Sequence, residues 1–334
     1  MKILVTGGSG FLGSHVVEQL VREGHDVRVL VRKSSNRKFL ESLGGEGKAG
    51  KVEFAYGSVE DAASVDAAVT GVEAIVHSAG LVKARTLDEF TTVNVEGTKN
   101  LLEAAKKYAK GLKRFVHVSS LEAIGPSEDG APLLSNHPPN PVTHYGRSKL
   151  AAERAVIAAK DELPVTIVRP TGIYGPRDVE MFSVFQSVQR GVLPLIGSGD
   201  NTMTLVYGAD AAEACIRAIF ADVPSGSAYF VDDGTVYTWK DAVLDVERAI
   251  GKRAFLRKGL PLSVLSVVAL GSELAGKITK KAVMLNRDKL NMLAKPHWVS
   301  SSVDTRRDLG WSPKVGWAEG CKMSVKWYRD NGWL

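Results

Sequence analysis

Residues 2–13, Lys-Ile-Leu-Val-Thr-Gly-Gly-Ser-Gly-Phe-Leu-Gly, leave this chain few ways to fold. Ile3, Leu4 and Val5 form a short apolar run with β-branched character, as in a strand buried in a parallel sheet. Glycine follows at 7, 10 and 13, and Ser14 to Arg22 carries Val16, Val17, Leu20 and Val21 at helical spacing. A strand, a glycine turn and a helix in that order aim backbone N–H groups and a helix N-terminus at one point, which suits a pyrophosphate. Gly7 permits the tight turn, Gly10 lets the backbone approach the phosphates, and Gly13 lets the helix pack on the strand. A merely flexible loop would not need the strand before it or the helix and second strand after it. The stretch is read as a dinucleotide site.

The second strand, Val27 to Val31, ends at Arg32. An acidic residue there would bind the adenine ribose 2′-hydroxyl, whereas an arginine accommodates a 2′-phosphate through its planar paired donors. The expected cofactor is therefore NADP rather than NAD. Further strands are expected at Val52–Tyr56, Ala74–His77, Arg114–Ser120 and Val165–Arg169. Helices are expected over 60–69 and 88–108 and onward from Tyr145. Ser78-Ala79-Gly80 closes the fourth strand with residues small enough to pass close to a cofactor. This alternation predicts an α/β fold, a doubly wound parallel sheet of Rossmann type. Residues 1–175 are assigned to it, with Thr204–Tyr207, Ala211–Phe220 and Tyr229–Val231 (within about 204–232) returning to the sheet. Residues 176–203 and 233–334 are assigned to a smaller, mostly helical substrate domain.

Ser120, Tyr145 and Lys149 form a second constellation. Tyr145 and Lys149 are four apart on one predicted helix and so share a face. Interconverting an alcohol and a ketone by hydride transfer needs a group that exchanges a proton with the oxygen. A tyrosine of ordinary pKa, about 10, is a poor base near neutrality. A neighbouring ammonium and the charge of an oxidised nicotinamide favour its phenoxide. Tyr145 is thus expected to exchange the proton, Lys149 to tune it and hold the cofactor ribose, and Ser120 to polarise the substrate oxygen.

With these residues the chain resembles the extended short-chain dehydrogenase/reductase superfamily, the NAD-dependent epimerase/dehydratase type, and most nearly its 3β-hydroxysteroid dehydrogenase-like members. The resemblance is carried by residues 6–13, Asn94-Val95-Glu96-Gly97-Thr98, Val118-Ser119-Ser120, Tyr145 with Lys149, and Arg169-Pro170-Thr171-Gly172-Ile173-Tyr174-Gly175-Pro176. Asp308-Leu309-Gly310-Trp311-Ser312-Pro313 and Trp327-Tyr328 extend it to the end of the chain. It implies Ser120, Tyr145 and Lys149 as the catalytic set. It also implies cofactor contacts from Thr6, Gly7, Gly10, Phe11, Leu12, Gly13, Arg32, Ser58, Val59, Ser78, Ala79, Gly80, Asn94, Tyr145, Lys149, Pro170, Thr171, Gly172 and Ile173. A homodimer is common in the superfamily and is implied in the same way.

Four departures narrow the reaction. Many sugar-nucleotide members carry an acidic residue where Arg32 stands. Met203 stands where those enzymes place an arginine for the substrate diphosphate, and a methionine makes no charge-assisted contact. Residues 119–126 are similar to the 3β-hydroxysteroid dehydrogenase version of that segment; Glu122 occupies the place of a dehydratase's catalytic acid, but its neighbour is Leu121, not a second acid. Ser58 stands where the superfamily usually has an aspartate beside adenine.

The expected activity is an NADP-dependent oxidoreductase interconverting a secondary alcohol and a ketone on a bulky apolar substrate such as a sterol, isoprenoid or other lipid. Its rivals are a sugar-nucleotide epimerase or dehydratase with tightly bound NAD, and a non-catalytic dinucleotide-sensing protein.

Charge and composition add a location. The net charge of +6 is concentrated in residues 251–295, where ten basic side chains meet only Glu273 and Asp288. They bracket Leu260–Gly276, an apolar stretch too short to span a bilayer. Peripheral membrane contact through 252–289 is one expectation, and a packed substrate-domain helix is the plainer one. Lys2 leads straight into a strand, and Cys215 and Cys321 lie far apart, so a cytoplasmic, reducing location is expected. His77, His117 and His144 have no metal-ligand spacing, and the late tryptophans read as packing rather than nucleic-acid stacking.

Overall fold

A computed structural model describes residues 1–43, 49–84, 86–195, 197–257 and 287–334, with Gly259, Pro261, Ser263, Ser266, Val267 and Gly271. The first half alternates as its hydrophobic pattern requires. β1 (Lys2–Thr6) leads into α1 (Phe11–Arg22), β2 (Asp26–Val31), α2 (Lys38–Leu43), β3 (Val52–Tyr56), α3 (Ala62–Val69) and β4 (Ala74–His77). After α4 (Leu87–Phe90), a π-helical turn (Thr91–Glu96) runs into α5 (Gly97–Tyr108), then β5 (Arg114–Val118), α6 (His144–Ala158) and β6 (Val165–Pro170). The expected helix over 88–108 is thus interrupted. Thr91, Thr92, Val93 and Val95 are all β-branched, and such residues crowd a regular helix.

The sheet has seven strands in the order β10-β6-β5-β4-β1-β2-β3, where β10 is Ser227–Val231, and every pairing is parallel. The order reverses between β1 and β4, so their following segments leave towards opposite faces and open a crevice at the strands' carboxyl ends. One face packs on α1 and α8 (Gly208–Phe220), with Val5, Val16, Leu20, Ala211 and Cys215 in its core. The other packs on α3, α5 and α6, with Leu4, Val65, Leu101, Phe115 and Val156 buried.

β7 (Gly172–Tyr174), α7 (Phe182–Gln189), β8 (Thr202–Met203) and β9 (Leu205–Tyr207) precede α8. Beyond β10 come β11 (Tyr237–Thr238), α9 (Trp239–Ile250), α10 (Arg287–Leu293), β12 (His297–Trp298), α11 (Val303–Leu309) and α12 (Trp317–Asp330). The expected return to the sheet is corrected here: only Ser227–Val231 joins it. Leu205–Tyr207 pairs with Gly172–Tyr174 in a separate two-stranded ribbon, and Ala211–Phe220 is helix, its buried residues falling three and four apart. The C-terminal region is mostly helical around Tyr174, Phe185, Trp317 and Tyr328. Most of the apolar stretch 260–276 and the basic residues 277–281 lie outside the described residues. Among the described residues no helix is long and apolar enough to cross a membrane, and no side-chain cluster could hold a metal. Both cysteines are free and buried.

Tyr174 packs edge-on against Trp317 at 4.5 Å, and its buried hydroxyl has no hydrogen-bond partner among the described residues. A methyl group at Gly320 would lie 2.2 Å from that hydroxyl. Tyr174→Phe is therefore expected to be neutral or to stabilise the protein by up to about 1 kcal/mol. Gly320→Ala should cost roughly 1–3 kcal/mol. Urea unfolding of both variants measures the difference.

Candidate active site

The glycine turn is built by exclusion of side chains. Gly7 has φ +71, and a Cβ there would meet the Ala79 nitrogen at 2.7 Å; one at Gly13 would meet the Gly7 carbonyl oxygen at 2.2 Å. Gly10 is exposed and begins α1 without a side-chain cap, and the first turn of α1 holds no acidic residue. The helix's first N–H groups therefore remain for an anion, and the residues present fit a dinucleotide pyrophosphate. Phe11 is half-buried, edge-on to His15 at 5.4 Å, and Leu12 is buried. Arg32 is exposed at the end of β2, with no side-chain partner among the described residues. Arg37 adds a second guanidinium nearby, over the rings of Phe54 and Tyr56 at 5.7 and 5.2 Å.

A buried hydrogen-bond chain ties this turn to α5. The Ala79 N–H donates to Thr6 Oγ1 at 3.2 Å, and Thr6 Oγ1 lies 2.7 Å from His77 Nδ1. On the other side His77 Nε2 lies 2.8 Å from Thr98 Oγ1, which donates to the Asn94 carbonyl. Because the Thr98 hydrogen is committed, His77 Nε2 must be the donor and Nδ1 must accept from Thr6. The ring is held neutral. Burial first, then the Lys149 ammonium, takes its pKa down to about 3.

Both amide hydrogens of Asn94 are engaged within the protein. Its amide bridges the Leu81 N–H and carbonyl and donates to Ser148 Oγ at 2.9 Å. It thus supports the loop after β4, with both amide hydrogens used within the protein. Ser58 is half-buried, and its backbone N–H and carbonyl both bond the Ser64 hydroxyl; the Val59 carbonyl accepts from Asn100. Ser78 and Ala79 are half-buried and Gly80 is exposed. A Cβ at Gly80 would lie 3.9 Å from Lys149 Nζ. Pro170 and Thr171 are buried at the end of β6, with Gly172 exposed and Ile173 half-buried beyond them.

Ser120, Tyr145 and Lys149 come together at the end of β5. Lys149 is buried and donates to the Val118 carbonyl at 2.6 Å; burial lowers its pKa to about 8 against the pull of Glu153. Ser120 Oγ accepts from the Glu122 N–H at 3.1 Å and hydrogen-bonds with Tyr145. Burial, and after it the Glu122 carboxylate, raises the Tyr145 phenol above its ordinary range, while Ser120 draws it back. Phe90 is buried with its ring 6.1 Å from that of Tyr145.

Several residues that shape the site escaped the sequence reading. Thr143 caps α6, accepting from the Gly146 N–H at 2.9 Å and donating to Glu122 Oε2 at 2.8 Å. A threonine just ahead of a predicted helix is a cap signal that could have found it. Asp288, from α10, accepts the His144 N–H at 2.8 Å across 144 residues, and no local pattern announces that. Arg177 binds α1 through Ser14, His15 and Glu18 at 3.0, 2.7 and 2.8 Å.

The family model for the NAD dependent epimerase/dehydratase family matches residues 3–231. A ceramide reductase of Caulobacter vibrioides is 34% identical, over 99% of this chain and 96% of that protein. A 2-alkyl-3-oxoalkanoate reductase of Stenotrophomonas maltophilia is 30% identical, over 96% of this chain and 98% of that protein. Among solved structures, a double mutant of the dTDP-glucose 4,6-dehydratase DesIV of Streptomyces venezuelae, with NAD and DAU bound, superposes with a TM-score of 0.80. It is 26% identical, covering 100% of this chain and 99% of its own.

His77 carries a pH signature. Its folded pKa, about 3, lies below the ordinary 6.5, so as pH falls the unfolded chain binds the proton first. Stability from the neutral ring is complete above about pH 6.5 and is lost as pH drops towards 3, about tenfold in the unfolding constant per pH unit. His77→Gln should flatten acid unfolding by one proton across that window, as measured by urea titrations at several pH values.

Proposed function

The chain belongs to the NAD dependent epimerase/dehydratase family, and on that premise we propose that it interconverts a secondary alcohol and a ketone on a bulky apolar substrate, using NADP. That it is an NAD(P)-dependent enzyme of the extended short-chain dehydrogenase/reductase type follows from the family match and its reductase relatives. The observation that supports the finer reading is that Ser120 hydrogen-bonds Tyr145 at the end of β5, where Lys149 also holds the Val118 carbonyl. When bound, the dinucleotide supplies or accepts hydride at the substrate carbon.

The protein's own groups handle the oxygen. Ser120 Oγ, already accepting from the Glu122 N–H, keeps its hydrogen for the substrate oxygen or the phenol. Tyr145 donates its proton as negative charge develops on that oxygen, and takes one back in the reverse direction. Lys149 holds its ammonium against the Val118 carbonyl, beside Gly80, where it would reach cofactor ribose hydroxyls. The backbone of residues 7–13 and Thr6 would seat the pyrophosphate, and Arg32 would pair with a 2′-phosphate.

Three observations support an apolar substrate over a sugar nucleotide. Two full-length relatives are named as reductases of ceramide and of a 2-alkyl-3-oxoalkanoate. Met203, on β8, stands where the family resemblance places a diphosphate-binding arginine. Phe90 walls Tyr145 with an aromatic ring. Phe255, 81% exposed, stands between Lys252, Arg253 and Arg257, which supports peripheral contact with an anionic lipid surface as part of the same reading.

Purified protein offered NADPH and a panel of sterol and acyl-chain ketones should consume cofactor. Tyr145→Phe should still bind NADPH while kcat falls on the order of 10²–10⁴-fold. Unchanged turnover would remove Tyr145 from the chemistry. Arg32→Ala should lower kcat/KM for NADPH about ten- to a hundredfold relative to NADH, the scale of lost hydrogen bonds to a charged group. Tightly held NAD without net cofactor consumption would favour the epimerase or dehydratase reading.

A further inference from the structure

A cavity of about 240 Å³, walled by residues that follow β10 and precede α11, plays no part in the proposed reaction. Ser120, Tyr145, Lys149 and the glycine turn are not among its lining residues. Its floor is Asp232, fully buried with Ser300 and Ser302. The Asp232 carboxylate accepts from both hydroxyls and from the Gly234 N–H, each at 2.9 Å, so its oxygens are occupied within the protein. The rim differs in kind. Pro132, Val236 and Val303 present exposed apolar surface there.

Two polar groups on this rim are left over. Arg306 is exposed and donates through Nε to Ser302 Oγ at 3.4 Å, while its terminal nitrogens have no partner among the described residues. The neighbouring acids are committed elsewhere. Asp304 and Asp308 both pair with Arg307, at 3.0 and 2.6 Å, and Asp233 accepts from Thr235 and Tyr237. The guanidinium is nonetheless held in place: it lies over Gly234, where φ is +83 and a Cβ would come within 2.2 Å of Nη2. Ser301 is half-buried and its N–H donates to the Leu133 carbonyl, but its hydroxyl has no partner among the described residues.

We propose that this cavity is a second ligand site, and that it takes a small aliphatic carboxylate. The inference does not depend on the hydride reading. A guanidinium offers a carboxylate two parallel N–H bonds, and the Ser301 hydroxyl adds a third donor. The alkyl chain then covers Val236, Val303 and Pro132. A water takes about 30 Å³ of the liquid, so the cavity has room for about eight waters or a chain of a few carbons. A cation has no free acceptor here, because the Asp232 oxygens are taken and out of reach of solvent. A dianion such as phosphate would meet one guanidinium with a carboxylate behind it, and so gains less than a single charge attached to an apolar chain.

Ligand-observed NMR on the whole chain, with NADPH present, tests this with butyrate, butyramide and inorganic phosphate as probes. Butyrate should bind saturably. Arg306→Gln should weaken it about ten- to a hundredfold, the scale of lost hydrogen bonds to a charged group. Val236→Glu sets a carboxylate on the rim and should block butyrate in the same way. Both variants should keep the urea unfolding midpoint and the NADPH affinity of the unaltered protein, which separates loss of the site from loss of the fold. Absence of saturable butyrate binding overturns the proposal, as does binding that Arg306→Gln leaves unchanged. Butyramide or phosphate binding as tightly as butyrate would overturn the assigned ligand class.

Discussion

Two charged side chains four residues apart fasten α6 to the sheet, and the candidate site depends on them. Lys149 donates into the Val118 carbonyl of β5, and Glu153 pairs with Arg169 of β6 through two hydrogen bonds of 2.9 and 2.7 Å. Arg169 also donates to the Ser135 carbonyl and stacks 5.6 Å over Phe230. Buried pairs of this kind add little net stability, but removing one partner costs roughly 3–5 kcal/mol because a bare charge remains. Their effect is to fix rotation and position. A helix tied to adjacent strands at two points one turn apart cannot roll, and so the phenol near its start stays beside Ser120.

Behind the Lys149 ammonium the protein places polar groups that are not charged. His77 is committed as a neutral donor and acceptor between Thr6 and Thr98. His117, its ring 5.3 Å away on the next strand, is held well below its ordinary pKa by burial, then by Lys149 and His77. Neither of its nitrogens has a partner among the described residues. Two imidazoles that stay neutral leave the amine without a competing cation on the sheet side. The charge can act towards the crevice, where the proposed reading needs it.

The glycine turn and the parallel alternation were legible because both are local. Strands of three to six apolar residues and a Gly7/Gly10/Gly13 spacing need no distant partner to be recognised. Ser120, Tyr145 and Lys149 were found as a set because strand end and helix start are each marked in sequence. What stayed hidden depends on tertiary contact. Leu205–Tyr207 has the composition of a sheet strand, yet its partner is the three-residue segment Gly172–Tyr174, which no periodicity distinguishes from the end of β6. The partners of Asn94, Leu81 and Ser148, lie 13 and 54 residues away, so its bonds within the protein had no local signal. Arg177 takes φ +75, uncommon for a residue with a side chain, and only its bonds to α1 explain that.

Two contacts of the segment after β7 differ in strength. On one side Arg177 is half-buried, bound by three side chains of α1 and lying 3.9 Å over the ring of Phe39. His15, which accepts from it, is kept neutral by burial and by that same guanidinium, so acid cannot readily displace it. The segment after β4 meets the turn after Asp178 through Lys83 and Glu180, 2.6 Å apart with both side chains partly exposed. Such an exposed pair contributes on the order of 0–1 kcal/mol and weakens with salt. The firm contact secures the turn at Arg177 to the glycine helix, and the Lys83–Glu180 pair adds little to it.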